Sequence, residues 1–156
     1  MTVITPDYCA PRSKASTGAI LDALDVTGKL EWMPGFGGVG YTHCNQATKA
    51  ACDALGVPLP AMLANDLADW LATLGKAAGW AGCDASHAGR NAEAGLPVLA
   101  SLLEPGRHGH LCVVRGFDAD GGLVVWSAGQ YNFNAAPIRQ VFTIEQLTRT
   151  RYFSHG

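Results

Sequence analysis

The sequence predicts an α+β domain, with helices first and an antiparallel sheet after them. Three observations predict it. Through residue 95 the apolar residues recur at helical spacing between caps and glycine stops; beyond it they run as strands do. Phe-Asp-Ala-Asp-Gly-Gly at 117–122 is a hairpin turn between two of those strands. The 156 residues are 48% hydrophobic and only 15% charged, enough for one core and too apolar for disorder.

Each element follows in order. Residues 17–25 read as a short helix that Ser16 or Thr17 can cap. Residues 28–40 hold five glycines and one proline and read as a loop. The segment 41–56 reads as a helix with Thr42 as N-cap and Gly56 after its end. Its stripe of Ala47, Ala51, Ala54 and Leu55 is narrow and small, so it can lie close on a sheet. Pro58 and Pro60 separate it from a helix over 61–74, marked by Leu63, Leu67, Trp70, Leu71 and Leu74. A weaker helix covers 84–94, ended by Gly95. Strands are predicted at 96–102, 110–116, 123–128 and 137–143, and a last short helix over Glu145–Arg149.

Composition excludes several functions. A net charge of −2 gives no footprint for nucleic acid or anionic lipid. No apolar run reaches the ~18 residues of a membrane span. The first residues lack a basic start followed by an apolar run, so no secretory signal is expected. Five cysteines without a C-x-x-C pair support neither a zinc knuckle nor a thioredoxin motif. Cys9 and Cys83 fall in predicted loops, where a disulfide between them stays open. His108 and His110 form H-x-H, but without an acidic partner at fitting spacing no metal or cofactor is expected.

The chemistry centres on Cys44. A thiol in the first turn of a helix is favoured as thiolate by the unsatisfied N–H groups and the helix dipole. The same N–H groups can hold an oxyanion. A base must still help, since a free thiol is only a few per cent ionised at neutral pH. His110, opening an apolar strand after Gly109, is the candidate base, 66 positions away along the chain. A polar group should orient its imidazole. If the hairpin turn centres near 119–120, His110 lies opposite 128–130. Odd register then favours Ser127 and even register Gln130, with Asn132 just beyond. Trp32, in the loop before Cys44, is a candidate cleft wall. His43 is a weaker candidate, because adjacent helical residues point about 100° apart. Cys52 and Cys112 read as core.

The runs Tyr41-Thr42-His43-Cys44-Asn45-Gln46-Ala47, Ala64-Asn65-Asp66-Leu67, Gly95-Leu96-Pro97-Val98, Gly109-His110-Leu111-Cys112-Val113-Val114, Ser127-Ala128-Gly129 and Asn132-Phe133 resemble papain-like cell-wall hydrolases. These are the NlpC/P60 and CHAP amidases and endopeptidases, including phage lysins and interbacterial amidase effectors. The likeness covers roughly residues 41–143, with residues 1–40 as an N-terminal extension and cleft loop of one catalytic domain. His43 and Asn45 stand where that family more often has an acidic and a small hydroxyl residue.

The resemblance implies a papain-like fold whose cysteine-bearing helix packs on a small antiparallel sheet. It implies Cys44 as nucleophile, His110 as base and acid, and Ser127 at the orienting place. Tyr41 would supply the second oxyanion donor, and Asn45 and Gln130 would touch substrate. The implied activity is cleavage of a peptidoglycan amide bond through an acyl-thioester, by a monomer delivered by holin, virion or secretion machine, with an immunity protein as a partner of the effector type. Two readings compete: a deamidase or transglutaminase-like toxin acting on protein glutamine, and an inactive binding module of the same fold.

Overall fold

The computed structural model describes residues 12–156. Ser13 starts α1 (Lys14–Leu24) through a capping box with Ser16, so the helix begins earlier than Ser16 or Thr17 would place it. A 3₁₀ turn (Leu30–Trp32) and the glycine-rich loop lead to α2 (Cys44–Leu55), closed by left-handed Gly56. His43, not Thr42, occupies its N-cap position. Then comes α3 (Ala64–Ala72), shorter than expected because residues 74–76 tighten into a 3₁₀ turn. Next are β1 (Trp80–Cys83) and α4 (Ala85–Glu93), which Asp84 caps. The strands β2 (Val98–Leu102), β3 (His110–Phe117), β4 (Leu123–Ser127) and β5 (Phe133–Pro137) follow, then α5 (Ile144–Arg149) and β6 (Arg151–His155).

The strand expected over 137–143 is a correction. Pro137 ends β5, and Ile138–Gln140 forms a 3₁₀ turn. Ile138 and Phe142, four apart, both turn into the core, and Phe142 N–H donates to the Ile138 carbonyl at 3.0 Å. The period there is helical. The strands β1 and β6 were not expected; at four and five residues they carry too few alternations to stand out.

All strand pairs are antiparallel, in the order β1-β6-β2-β3-β4-β5. The sheet is covered on both faces. Leu99, Leu111, Val113 and Trp126 face α1, α2 and α3 through Leu21, Ala47, Ala51, Leu67 and Leu71. Val98, Ala100, Cys112, Val114 and Val125 face α4 and Phe142. The two sets alternate along each strand, as the pleat requires. Leu21, Val26 and Trp32 share the first core, so α1 and the 3₁₀ turn pack onto the sheet. Among the described residues Cys44, Cys52, Cys83 and Cys112 form no disulfide with one another, and Cys9, with any pairing to Cys83, lies outside them.

The start of α1 is anchored at Gly95. Its φ of +86° is left-handed, and a Cβ there would overlap the Ser13 backbone. Thr17 Oγ1 also donates to its carbonyl at 2.8 Å. Gly95→Ala is expected to destabilise the fold by about 3 kcal/mol, combining left-handed strain with displacement of α1. Denaturant melts of the two proteins measure this; equal midpoints would show that the contact contributes nothing.

Candidate active site

Cys44 is the first residue of α2. The His43 side chain does not cap the helix. Its Nδ1 meets the Gln46 side-chain amide, and its Nε2–H donates to the Phe36 carbonyl at 2.9 Å, clamping the glycine-rich loop. The helix start is therefore open, and the N–H groups of Cys44 and Asn45 are directed at the Cys44 sulfur. The Leu111 N–H, from β3, points at the same sulfur. One turn on, Thr48 Oγ1 donates to the Leu111 carbonyl at 3.3 Å. The thiol is thus held against the residue that follows His110. It is only 6% exposed, and this burial raises its pKa above the ordinary value, while the three N–H groups pull the other way.

His110 opens β3, and its placement depends on two glycines. A Cβ at Gly109 would overlap Asn65 Oδ1 and the Leu102 carbonyl, so only glycine fits between those two groups. Continuing the Val113–Trp126 register puts Gly129 opposite His110. A Cβ at Gly129 would lie 3.0 Å from His110 Cε1. With that place empty, the ring leans along the diagonal, and His110 Nε2 meets Ser127 Oγ at 2.8 Å. Phe142 packs edge-on against the ring, with centroids 5.4 Å apart. Burial lowers the His110 pKa to about 4. At neutral pH both groups are uncharged: a thiol and an imidazole.

Odd register selects Ser127, 1% exposed, as the imidazole's partner. Gln130 stands exposed beyond the end of β4. Asn132 is a loop pin: its Oδ1 accepts from Gly129 N–H at 3.0 Å, and its Nδ2 donates to the carbonyls of Val26 and Trp32. Nδ1 of His110 has no nitrogen or oxygen partner among the described residues. Ser127 Oγ accepts from Nε2–H in the tautomer that leaves the Nδ1 lone pair for an incoming proton.

The expected substrate contacts divide. Trp32 is a correction: at 5% exposure it packs edge-on to Trp126, 5.8 Å between centroids, and forms core rather than cleft wall. Tyr41 is 59% exposed, with its ring against Gly37 and Gly38. Asn45 donates to the Met62 carbonyl at 2.9 Å, tying α2 to the segment before α3.

Asn65 was not anticipated. Its Nδ2 donates to the carbonyls of Glu104 and Arg107 at 2.9 and 2.8 Å, and its Oδ1 accepts from Glu104 N–H at 2.9 Å. It staples the loop that delivers His110, and Gly109 was the one signal that something must approach there. His108 is exposed, and among the described residues no group of three His, Cys, Asp or Glu gathers to hold a metal. No helix among them is long and apolar enough to cross a membrane.

Among the described residues no hydrogen bond joins Cys44 Sγ to His110; a thiol at an open helix start and a neutral imidazole at the head of the strand it packs on are group types that nucleophilic attack on a carbonyl uses. Searched against protein families and curated proteins, the chain matches no family model and no curated relative.

Proposed function

We propose that the protein is a cysteine amidase or peptidase that opens an amide bond of the bacterial cell-wall peptide. The observation that carries this reading is the docking of the Cys44-bearing helix on β3, Thr48 Oγ1 to the carbonyl of Leu111, next in the chain after a His110 bonded to Ser127. A cysteine-bearing helix on an antiparallel sheet, with histidine and its polar partner on adjacent strands, supports a papain-like assignment of the NlpC/P60 type. The substrate class rests on the motif resemblance.

The chemistry follows from the neutral pair. His110 Nδ1 takes the thiol proton as Cys44 Sγ bonds to the carbonyl carbon. The N–H groups of Cys44 and Asn45 hold the oxyanion, so the donors that soften the thiol become the donors for the intermediate. As the intermediate collapses, the C–N bond breaks and the imidazolium returns its proton to the leaving amine. Water, deprotonated by His110, then attacks the thioester and the thiol is restored. Through both steps Ser127 holds the ring and its tautomer. Delivery by holin, virion or secretion machine, and an immunity partner, belong to the same proposal.

Purified sacculi treated with the protein and analysed by mass spectrometry test the reading. New stem or cross-bridge fragments, with the cut bond identified, are the expected result. Intact sacculi together with ammonia release from a glutamine-containing protein would replace it with a deamidase. No product from either substrate would leave only a binding module.

Ser127→Ala measures the orienting bond. Once the imidazolium forms, that bond is charge-assisted and worth about 1.5–3 kcal/mol. Its loss should lower kcat roughly 10- to 100-fold with KM nearly unchanged. Unaltered kcat would remove Ser127 from the machinery.

A further inference from the structure

His43 is a buried histidine that the proposed chemistry leaves unused. It holds the N-cap position of α2, yet its side chain caps nothing there. The ring instead donates from Nε2–H to the Phe36 carbonyl at 2.9 Å, and the Phe36 ring packs edge-on against it, centroids 6.1 Å apart.

The loop that this bond reaches is closed on itself. Gly35 N–H donates to the Tyr41 carbonyl at 2.8 Å, Gly38 N–H to the Gly35 carbonyl at 3.1 Å, and Tyr41 N–H to the Gly38 carbonyl at 3.2 Å. Gly35 and Gly40, with φ of +84° and +79°, turn the chain back so that its ends meet. The Tyr41 ring lies on Gly38, where a Cβ would come within 3.1 Å of it. Phe36, Val39 and Tyr41 all stay exposed. Among the described residues, the bond from His43 to Phe36 is the one hydrogen bond that joins residues 34–42 to α2 or to the sheet. A segment bonded mainly to itself and attached at one point opens locally, as a unit, at small cost.

The loop runs directly into His43 and Cys44. Any swing of it pivots on the backbone that enters α2, where the N–H groups of Cys44 and Asn45 are directed at the sulfur. Cys44 itself is buried, so a reagent reaches the thiol only when its surroundings move. The cavity along α1 offers no comparable device: its Arg115 is already bound to Asp22 at 2.9 Å and to the Asn134 side chain at 3.2 Å.

We infer that His43 is a positioning residue for Cys44: its Nε2–H bond to the Phe36 carbonyl latches the glycine-rich loop to the start of α2, and releasing that latch opens the loop and exposes the thiol. His43 touches neither the moving protons nor the bond to be cut. The inference rests on the proposed hydrolysis only for what the thiol is used for.

Alkylation of Cys44 by iodoacetamide at fixed pH, resolved by peptide mass analysis, tests the latch without any substrate. The proteins compared are the parent, His43→Leu, His43→Asn and His43→Gln. Both amides are uncharged donors, but only the longer glutamine carries its nitrogen near the place of Nε2. His43→Leu and His43→Asn should speed alkylation about three- to tenfold, the worth of one hydrogen bond. His43→Gln should react as the parent does, which also excludes an effect of imidazole charge on the thiol. Hydrogen exchange at the Gly35, Gly38 and Tyr41 amides should quicken with alkylation, while the Ala51 and Cys52 amides within α2 stay protected. If His43→Leu does not fold, the asparagine and glutamine variants carry the same comparison. Alkylation at the parent rate in folded His43→Leu or His43→Asn, or a glutamine variant as fast as either, overturns the latch. A failed sacculus digest leaves the latch standing, and a failed latch leaves the digest to judge the hydrolase.

Discussion

Cys44→Ala releases no wall fragments, a loss on the order of 10⁴-fold or more, because no other group can form the thioester. The fold survives. The substitution removes one small sulfur at the end of a helix, and the N–H groups around it can turn to water. The expected cost is about 1 kcal/mol, a shift of a few degrees in melting temperature. Cys52→Ala is the opposite case. Cys52 lies two turns along α2, fully buried, with its thiol pushed up to about 12. It is inert as a nucleophile, so its loss should lower stability and leave turnover per folded molecule unchanged. Mass analysis of sacculus digests and thermal melts on the same preparations read both effects. Wall cleavage by Cys44→Ala protein would end the assignment.

The second large effect is the pH dependence set by His110. Burial holds its pKa at about 4 in the folded chain, against 6.5 for an ordinary imidazole. The base form therefore persists to low pH, and the acid limb of kcat/KM should fall through about 4 rather than 6.5. Stability moves with the same group. Between pH 6.5 and 4 the unfolded chain takes up a proton that the folded chain refuses. The contribution is complete above 6.5, declines as the pH falls, and is gone by pH 4, an integrated loss of about 3 kcal/mol. His110→Gln should abolish activity at every pH and flatten that part of the stability profile. Profiles of kcat/KM and of denaturant midpoints from pH 4 to 8 check this. An acid limb at 6.5 or above would show that His110 titrates as an ordinary imidazole in the working protein.

Much of the fold is legible in the residues because local rules decide it. The alanine stripe of α2 and the glycine after it need no knowledge of the rest of the chain. Asp84 and Gly95 bracket α4 in the same way, and β2, β3 and β4 are apolar runs bounded by turn residues. The misses have physical causes. Ile138 and Phe142 share one side of a helical turn, but flanked by β-branched neighbours they read as a strand. The strands β1 and β6 are edge and closing elements whose hydrogen bonds come entirely from partners distant in the chain.

The site divides similarly. The place of Cys44 at a helix start, and of His110 at the head of a glycine-led strand, was legible locally. The choice between Ser127 and Gln130 was beyond local rules, because one extra residue in a hairpin moves every cross-strand pair. That residue exists: the register slips between Val114 and Gly116, where Arg115 bulges. Trp32 misled because a tryptophan in a glycine-rich loop has no local mark of burial; Trp126, far along the chain, covers it.

By itself, then, the order of residues determined the helices, the central strands and the chemical types available for reaction, since propensity, capping and periodicity act over a few positions. Only the tertiary structure decided that the Leu111 N–H meets the Cys44 sulfur, that Ser127 is the imidazole's partner, and that Asn65 holds the loop before it. Those contacts join residues 17 to 67 positions apart, and their geometry is set by sheet register and helix docking, which no short window of sequence contains.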